Sequence, residues 1–544
     1  MRIVTSAQMR EIERAAFASG WVSPEALMRR AGLAVAGHTL AALAHPTAAR
    51  ALVLVGPGNN GGDGLVVAEA LRDAGLAEVV VWLYRRDGVN GAPVAPDLLV
   101  GLRSISAAAP GAVAAFAEAV AAADLIVDAV YGIGARDELP ADLIAALDVV
   151  NARAANPRVT LVALDIPTGV NADTGAIAGI AFRADLTVTL GRPKRGLYLA
   201  PGLRATGRIV IESLDLEDNA LSADTPRLLT SADAIARLPR RADDAHKGDA
   251  GSLLFIGGSL NYPGAPVLAA RAALRAGVGL LTLAVPRSIF GPIATQVPEA
   301  TYLPLPEGDW GVIGRDGLKV IAEAIERYTA LLIGNGIGRD AATVDFLGRL
   351  FALSPSDRGK GPVGFRPNAA TEEAAADASP VQVPVILDAD GLNWLSTVER
   401  WWEKLAHLAL ILTPHHGELA LLRGVEREAI SAAPQQAALD AAREWGQTVV
   451  LKGGYTIVAT PTGELWSAPL ANPALAAAGT GDTLAGLLAG LLAQGLGTTD
   501  AALLGVWIGA RAGELARGEI GTLPLLASDL PTYIGRAIRE LETA

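Results

Sequence analysis

Cysteine is absent from all 544 residues of the chain. This absence excludes disulfide bonds, thiolate metal sites and cysteine nucleophiles, and it leaves the cellular compartment open. The chain also has no concentrated block of lysine and arginine, and its formal net charge is −12. Because proteins that bind nucleic acids usually present a basic surface, we do not expect nucleic acid as the main partner. Small anionic ligands remain compatible with this charge, since backbone N–H groups and single lysines bind them locally.

Long apolar runs are also missing. The first eleven residues contain no apolar core of the length that a secretory signal needs. The longest uncharged helical stretch, Thr483–Thr499, is rich in glycine and includes Gln494, so we interpret it as a buried helix and not as a membrane span. We therefore expect a cytoplasmic protein without a membrane partner.

The length and composition of the chain predict two domains. A single hydrophobic core rarely serves 544 residues, and a composition of 51% hydrophobic and 19% charged residues is typical of well-packed domains. A charged, turn-rich segment at 214–245 indicates the boundary, so we predict domains over 1–218 and 225–544. Within the second domain, the polar segment 354–380 interrupts the pattern and is predicted to be a mobile surface insertion.

Short β-branched runs alternate with alanine-rich stretches in the first half, which predicts an α/β fold with helices on both faces of a parallel sheet. The predicted strands are Ala51–Val55, Val79–Leu83, Leu125–Val127 and Val159–Leu164, and the predicted helices are Leu65–Ala74, Ala112–Ala123 and Ala141–Asn151. The second half continues the pattern with strands at Ser252–Ile256, Leu280–Val285, Ala330–Ile333, Val383–Leu387, Leu408–Leu412 and Thr448–Leu451. In such sheets ligands bind beyond the carboxyl ends of the strands.

Two polar loops in the first half suit a cation. Gly56–Gly64 follows a predicted strand and is rich in glycine, but it lacks the GxGxxG spacing of a dinucleotide-binding loop. Amide oxygens such as that of Asn60 are typical ligands of hard cations. Asp128 follows another predicted strand, so its carboxylate either shares such a cation with Asn60 or caps a surface loop.

A third loop carries a candidate acid/base. Asp165 follows a predicted strand directly, and Pro167 and Gly169 turn the chain immediately afterwards. The turn fixes Asp165 at the edge of the sheet, and Thr168 offers a hydroxyl or carbonyl oxygen beside it. A carboxylate in a partly desolvated position of this kind suits general acid/base catalysis.

The most informative segment of the second half is Gly479-Thr480-Gly481-Asp482, which opens the apolar helix described above. Small residues at a helix start leave backbone N–H groups free to bind an anion, and phosphate is the usual one. Asp482 in this position is either an N-cap carboxylate or a base that faces a substrate hydroxyl beside the phosphate.

Other polar residues follow predicted strands of the second half. Lys452 precedes the pair Gly453-Gly454, so its ammonium and the glycine N–H groups suit a phosphate. His415 and His416 are adjacent, and neighbouring side chains in an extended chain point to different sides. We therefore expect one of the two to act as a hydrogen-bonding group, and we do not expect a two-histidine metal site.

The features of the first half resemble the YjeF N-terminal family, the epimerase domain of NAD(P)H-hydrate repair enzymes. The likeness covers about residues 1–215 and includes the segments 7–13 and 27–32 as well as the three loops. It implies a Rossmann-like three-layer sandwich that interconverts the R and S hydrates of NADH and NADPH, with Asp165 as the acid/base. It implies potassium (K⁺) bound by Asn60, Asp128 and Thr168. It also implies contacts with the hydrated cofactor from Asn59, Asn60, Gly61, Gly62, Asp63, Gly132, Ile133, Gly134, Ala135, Arg136, Asp137 and Glu138.

The second half is similar to the ribokinase-like superfamily and, within it, to the ADP-dependent NAD(P)H-hydrate dehydratases, over about residues 225–540. The resemblance implies a ribokinase-like α/β domain in which ADP donates a phosphoryl group in the presence of Mg²⁺, with Asp482 as the base. It implies substrate contacts from Ala265, Gly338, His415 and Asp482, and nucleotide contacts from Lys452, Gly453, Gly454, Tyr455, Thr456 and Gly481. Asn335 departs from the family pattern, which favours proline there, so we expect a less rigid loop with an open backbone.

Both resemblances together predict a bifunctional enzyme of nicotinamide nucleotide repair that acts on the hydrates NADHX and NADPHX, and they imply a homo-oligomer. Two alternatives stay open. In the first, the chain would be a ribokinase-superfamily small-molecule kinase with a regulatory N-terminal nucleotide-binding domain. In the second, the N-terminal half would only bind a nucleotide or another protein. The polar set of Asn60, Asp128 and Asp165 favours catalysis in that half, and the His415 loop favours repair over a kinase.

Overall fold

The computed structural model describes residues 1–86, 96–134, 138–156, 158–217, 221–222, 224–308, 311–353 and 379–544. The chain divides into two compact units, Met1–Pro226 and Arg227–Ala544. Each unit is built of alternating strands and helices, which confirms the predicted α/β fold class. Apart from its last two residues, the predicted insertion at 354–380 lies outside the described residues.

A parallel sheet forms the middle layer of the first unit. Its described strands are β1 (Arg50–Val55), β2 (Glu78–Leu83), β3 (Arg103–Ser106), β4 (Leu125–Ala129), β5 (Thr160–Leu164), β6 (Leu186–Leu190) and β7 (Arg208–Glu212). They lie in the order β3-β2-β1-β4-β5-β6-β7, and every neighbouring pair is parallel. The direction of winding reverses between β1 and β4, and sheets of this kind bind ligands at that point, beyond the carboxyl ends of the strands.

Helices cover both faces of this sheet. Helices α1 (Ser6–Ala18), α2 (Pro24–Ala41) and α3 (Asn59–Asp73) pack on one face, and α4 (Ala112–Ala122) and α5 (Ala141–Asn151) pack on the other. Successive strand residues enter separate cores, with Val53 and Val127 on the α3 side and Leu52 and Ile126 on the α4 side. The first unit is therefore the expected Rossmann-like three-layer sandwich.

The second unit contains a longer, mixed sheet. Its described strands are β8 (Arg227–Leu228), β9 (Ser252–Ile256), β10 (Leu280–Pro286), β11 (Thr301–Leu305), β12 (Ala330–Ile333), β13 (Val385–Leu387), β14 (Leu410–Leu412), β15 (Thr448–Leu451), β16 (Ile457–Ala459) and β17 (Leu465–Ser467). The order is β11-β10-β9-β12-β13-β14-β15-β16-β17-β8. Neighbours from β11 to β15 are parallel, whereas β16 is antiparallel to both of its neighbours. The parallel part brings the carboxyl ends of its strands to one edge.

The described helices of this unit also cover both faces of the sheet. They are α6 (Ser231–Ile235), α7 (Gly264–Arg275), α8 (Arg287–Ala294), α9 (Gly317–Ala324), α10 (Ala341–Leu350), α11 (Asp390–Leu395), α12 (Trp401–Lys404), α13 (His416–Arg423), α14 (Arg427–Ala432), α15 (Pro434–Trp445), α16 (Thr480–Ala493), α17 (Thr498–Ile520) and α18 (Leu530–Thr543). Helix α16 is buried, as predicted, because Gly486 and Gly490 lie against the backbone of Ala269 and Ala273 in α7. In the described parts of the chain, no helix combines the length and the apolar character that crossing a membrane requires.

Strand ends differ from the predicted ones by at most two residues, but one helix begins much earlier than predicted. The prediction of a loop over Gly56–Gly64 was wrong from Asn59 onwards, because α3 begins there. Arg86 donates from Nη1 to the carbonyl oxygens of Gly56 and Gly58 at 2.9 Å each and so fixes the chain before the helix. A Cβ atom on Gly64 would lie 2.5 Å from the Cβ of Ala129. The glycine therefore allows the N-terminal part of the helix to pack closely on the sheet.

Candidate active sites

The first candidate site lies beyond the carboxyl end of β5, where Asp165 leaves the strand. Asp165 has a φ of 67°, in the left-handed region that residues with side chains rarely adopt. Its Oδ1 accepts hydrogen bonds from the Leu190 N–H at 3.1 Å and from the Thr189 hydroxyl at 3.2 Å. Within the described residues, Oδ2 receives no hydrogen bond. One carboxylate oxygen is anchored, and the other remains for a ligand.

A buried lysine compensates the charge of Asp165. Lys194 is 1% exposed, and its Nζ lies 2.5 Å from Asp165 Oδ1 and 2.5 Å from the carbonyl oxygen of Leu190. It is the only lysine between residues 1 and 226. A buried ion pair needs good geometry and further hydrogen bonds to offset the loss of hydration, and these contacts supply both. The ammonium therefore fixes the position of the candidate acid/base and balances its charge.

Asp128 forms a second buried carboxylate, in the neighbouring strand β4. Thr168 donates to Oδ2 from its backbone N–H and to Oδ1 from its hydroxyl, each at 2.7 Å, and the Val130 N–H donates to Oδ1 at 3.1 Å. Burial raises the pKa of Asp128 to about 6, although these hydrogen bonds lower it. The ion pairs formed between described residues leave Asp128 without a cationic partner. A bound monovalent cation would supply the missing positive charge.

Gly132 keeps a space open between the polar groups of this site. A Cβ atom on Gly132 would lie 2.9 Å from Asn60 Oδ1 and 3.3 Å from Asp165 Oδ2. The Nδ2 atom of Asn60 is buried and finds no acceptor among the described residues. The described residues include no cluster of three or more histidine, aspartate or glutamate side chains that would hold a metal. Asp128, Thr168 and Asn60 offer oxygen donors only, and such a donor set suits K⁺ better than a transition metal.

The second candidate site lies at the first turn of α16. Gly479 precedes the helix with a φ of 87°, and no side chain caps the helix. The Oδ1 atom of Asp482 instead accepts a hydrogen bond from Asn335 Nδ2 at 2.7 Å, so the N-cap alternative for Asp482 is wrong. Burial raises the pKa of Asp482, whereas the hydrogen bond from Asn335 lowers it. Its Oδ2 receives no hydrogen bond from the described residues, which repeats the arrangement at Asp165.

Asp388 and Lys452 form an ion pair beside Asn335. Lys452 Nζ lies 2.7 Å from Asp388 Oδ1, which also accepts a hydrogen bond from the Thr413 hydroxyl at 2.7 Å. Asn335 Nδ2 donates to the other oxygen, Oδ2, at 2.8 Å. Burial lowers the pKa of Lys452, but the attraction of Asp388 and Glu418 outweighs it and raises the pKa overall. Lys452 therefore carries a firmly held positive charge at the end of β15.

His415 is a neutral hydrogen-bonding group in this site. It forms the N-cap of α13, where its Nδ1 accepts from the Glu418 N–H at 3.0 Å and its own N–H donates to Glu418 Oε2 at 2.8 Å. Burial and the nearby Lys452 lower the pKa of His415. Because Nδ1 is an acceptor, the proton of the neutral ring lies on Nε2. His416 contacts Ser431 instead, so the two imidazoles act separately, as expected.

Two cavities lie at this edge of the second sheet. The first, of about 150 Å³, is lined by residues that include Lys452, Gly453, Gly454, Thr456 and Gly481. The second, of about 470 Å³, is lined by Ser259, Asn261, Tyr262, Val312, Gly338, Arg339, Asp340 and Asp390. Asp390 also accepts a hydrogen bond from the Gly338 N–H at 3.2 Å. The segment after β13 thus carries Asp388 in the ion pair and Asp390, the first residue of α11, in the second cavity.

Comparison with known proteins identifies the family. Residues 24–196 match the model of the YjeF-related protein N-terminus, and residues 253–536 match that of NAD(P)H-hydrate dehydratase. The bifunctional NAD(P)H-hydrate repair enzyme Nnr of Moorella thermoacetica is 35% identical over 556 residues, which cover 100% of this chain and 97% of that protein. The chain belongs to the bifunctional NAD(P)H-hydrate repair enzymes.

A second curated relative agrees with this assignment. The repair enzyme Nnr of Thermofilum pendens is 32% identical, over 99% of this chain and 97% of its own length. Among solved structures, the ADP/ATP-dependent NAD(P)H-hydrate dehydratase of Bacillus subtilis, co-crystallized with ATP/Mg²⁺, is 29% identical with a TM-score of 0.46. That similarity covers 58% of this chain and 98% of the other.

In the N-terminal half of this repair-enzyme chain, the structure places most predicted residues beyond the ends of β1, β4 and β5. Helix α3 begins with Asn59, Asn60, Gly61, Gly62 and Asp63. Burial raises the pKa of Asp63 well above its usual range, and the charges of Asp165 and Glu13 add to this rise. Gly132, Ile133 and Gly134 follow β4, and Glu138 is exposed. Ala135, Arg136 and Asp137 lie outside the described residues.

In the C-terminal half, five of the six predicted nucleotide contacts line the first cavity. Tyr455 is 8% exposed and is not among the residues that line it. Gly338 lines the second cavity. Ala265 lies at the start of α7, where its Cβ would be 3.1 Å from a Cβ atom on Gly336.

Three residues that organise these sites have roles that the sequence did not predict. Lys194 holds Asp165, Asn335 joins Asp388 to Asp482, and Glu418 completes the capping box with His415. Burial raises the pKa of Glu418 to about 7, although Lys452 lowers it. Lys194 had a detectable signal, since a lone lysine in a long segment that otherwise uses arginine indicates a specific role. The role of Asn335 had no signal beyond its departure from the family pattern.

Proposed function

We propose that the chain repairs hydrated NADH and NADPH, with an epimerase domain over 1–218 and a dehydratase domain over 225–544. The observation that carries this proposal is the same arrangement at two sheet edges. Among the described residues, Asp165 and Asp482 each have donors to Oδ1 and none to Oδ2. The match to bifunctional repair enzymes over the full chain supports a linked role for the two sites.

The chemistry of the substrate explains why the first site needs Asp165. Water adds to an enamine double bond of the dihydropyridine ring so that the hydroxyl is on the carbon next to the ring nitrogen. Inverting that carbon requires a bond to break and reform, and a proton must be delivered and removed. Asp165 Oδ2 performs this transfer while Lys194 holds Oδ1 in place. We place the reacting ring beside Gly132, because this position is close to both Asn60 Oδ1 and Asp165 Oδ2.

We assign the cation of the first site to K⁺, held by Asn60, Asp128 and Thr168. When bound, it would balance the buried charge of Asp128 and attract oxygen atoms of the ligand. Asp128 and Thr168 are already held together by two hydrogen bonds, which fixes the spacing of their oxygens. Asn60 contributes its amide oxygen from the first turn of α3.

The second site removes water by making the hydroxyl a better leaving group. Asp482 Oδ2 accepts the hydroxyl proton while the oxygen attacks the terminal phosphorus of ADP, which yields AMP and a phosphorylated ring. The C–O bond then breaks, phosphate leaves, and loss of a proton from the adjacent carbon restores the double bond. The backbone N–H groups of Gly479 and Gly481 stabilise the transferred phosphoryl group, whereas the Thr480 N–H donates to the Ala477 carbonyl oxygen at 3.4 Å. His415 donates from Nε2 to the substrate.

Lys452 and Mg²⁺ complete the nucleotide site of this proposal. Lys452 Nζ lies 3.6 Å from the position of a Cβ on Gly481, so its charge is close to the anion cradle at the start of α16. Because the described residues present no cluster of three acidic or histidine metal ligands, Mg²⁺ would bind mainly through the nucleotide phosphates and water. When bound, it would neutralise charge on the phosphates. On the family resemblance, we also propose a homo-oligomer.

Two matched substitutions test the assignment of the sites. Asp165→Asn should abolish consumption of the R hydrate and leave dehydration of the S hydrate intact, since the aspartate lies in the first unit. Asp482→Asn should have the opposite effect and reduce dehydration by about 10²–10⁴-fold, the usual contribution of a general base. If Asp165→Asn still consumes the R hydrate at the wild-type rate, Asp165 is not the acid/base of the first site. If Asp482→Asn still dehydrates the S hydrate at the wild-type rate, Asp482 is not the base of the second. Accumulation of a stable phosphorylated product would favour a kinase instead.

A further inference from the structure

Asn335 lies at the centre of a hydrogen-bonded chain that the mechanism above does not use. It is 0% exposed, and its Nδ2 donates to Asp388 Oδ2 at 2.8 Å and to Asp482 Oδ1 at 2.7 Å. Both N–H bonds of the amide are thus directed to carboxylates from different segments. Its Oδ1 is buried and has no donor within the described residues.

The charges of its neighbours set the orientation of this amide. Ionised carboxylates only accept hydrogen bonds, so the N–H side of Asn335 has to face Asp388 and Asp482. A flipped amide would place its oxygen against two carboxylate oxygens. The observed orientation persists although a buried oxygen without a donor disfavours the folded state.

Asp388 is itself held firmly, so Asn335 connects Asp482 to a fixed support. The Asp388 Oδ1 atom accepts from Lys452 Nζ and from the Thr413 hydroxyl, each at 2.7 Å. Asn335 is fixed through its backbone as well, because its carbonyl oxygen accepts from the Gly258 N–H at 2.9 Å. The loop that lacks the proline of the family pattern is thus held by hydrogen bonds.

We propose that Asn335 is a positioning residue for dehydration, which holds Oδ1 of Asp482, leaves Oδ2 for the substrate hydroxyl and separates Asp482 from the negative charge of Asp388. The inference rests on the proposed role of Asp482 as the base. Burial raises the pKa of Asp482, and Asn335 is the strongest influence in the other direction. Asp388 and Asp390 add to the rise, and Lys452 opposes it.

Asn335→Ala, which removes both donors, gives the direct test. A hydrogen bond to a charged group changes its ionisation equilibrium by about ten-fold. We therefore expect kcat for ADP-dependent dehydration of the S hydrate to fall about ten-fold at the acidic end of the wild-type pH profile and to recover as the pH rises. Asn335→Asp, which has nearly the same shape, should show a larger displacement of the profile because a third carboxyl group joins the cluster. The KM for ADP should stay close to that of the wild type.

Asn393→Ala is the matched control. Its amide donates to the Ala389 carbonyl oxygen at 3.2 Å and to Asp390 Oδ1 at 3.4 Å, so the substitution removes an amide–carboxylate contact without touching Asp482. It should keep the wild-type pH profile. Thermal unfolding reports whether each variant is folded. If Asn335→Ala does not fold, the pH profile of Asn335→Asp is measured in its place.

Two results would overturn the proposal, namely an unchanged profile in folded Asn335→Ala or an equal loss of kcat at every pH. Recovery at high pH supports it, because a merely structural defect would persist there. Failure of the wild-type chain to dehydrate the S hydrate with ADP would instead overturn the proposed function. The wild-type measurement therefore separates the two failures.

Discussion

Replacing Lys194 by methionine should destabilise the first unit and remove only the epimerase activity. Methionine keeps the unbranched apolar stem and lacks the ammonium. Asp165, which is 7% exposed, then keeps its hydrogen bonds from Leu190 and Thr189 but loses its cation. Removing one partner of a buried ion pair typically destabilises a protein by about 3–5 kcal/mol, because an uncompensated charge remains. For a unit of this size, that change lowers the melting temperature by about 10 °C.

Differential scanning calorimetry measures the melting of the first unit, and consumption of the R hydrate reports its function. Dehydration of the S hydrate should be unchanged, since its candidate residues lie in the other unit. The double variant Lys194→Met with Asp165→Asn removes both charges and should regain part of the lost stability without regaining epimerisation. Arg183→Met is the matched control, because Arg183 is an exposed cation of the same unit that takes part in none of the described ion pairs.

Two results would refute this reasoning about Lys194. One is a melting temperature of Lys194→Met equal to that of Arg183→Met. The other is a double variant no more stable than Lys194→Met alone. Either result would show that the ammonium does not compensate Asp165 in the folded chain.

Two further predictions concern a steric and an electrostatic feature. Gly132→Ala places a Cβ atom 2.9 Å from Asn60 Oδ1 and 3.3 Å from Asp165 Oδ2. We expect R-hydrate consumption to fall about a hundredfold with dehydration unchanged, and a wild-type rate would show that the substrate does not use this space. Glu418→Gln tests how the free energy of unfolding depends on pH. Burial raises the pKa of Glu418 from 4.5 to about 7, so the protonated side chain is favoured in the folded state. The stability that its protonation contributes is present below pH 4.5 and is lost as the pH rises to about 7. The glutamine keeps an acceptor for the His415 N–H, and the variant should not show this loss of up to about 3 kcal/mol in the free energy of unfolding. If urea unfolding depends on pH equally in the wild type and the variant, Glu418 is not the source of the pH dependence.

The strands were the most predictable part of the fold. Ser252–Ile256 and Thr448–Leu451 were predicted at their observed bounds, because strands buried on both faces of a parallel sheet are continuous apolar runs. The short strand Leu465–Ser467 was not predicted, since three residues are too few to show a periodic pattern. The early start of α3 at Asn59 was missed because glycine weakens the helical signal, whereas contacts from Arg86 fix that turn.

The positions of the candidate carboxylates were predictable from the sequence, whereas the residues that hold them in place were not. Asp128 and Asp165 follow from strand ends that topology brings to one edge, and Asp482 follows from the small residues that open α16. Lys194 contacts a residue 29 positions away, and Asn335 contacts residues 53 and 147 positions away. Pairs at such separations are set by tertiary packing, which a local pattern does not contain.

The most direct test of the central claim, two linked repair activities in one chain, begins with pure R hydrate of NADH. The wild-type chain is given this substrate with ADP, Mg²⁺ and K⁺, and NADH absorbance and phosphate release are followed together. We expect NADH to form with one phosphate released per molecule, and we expect only interconversion of the two hydrates when ADP is omitted. An R hydrate that stays unchanged in the complete mixture would contradict the account.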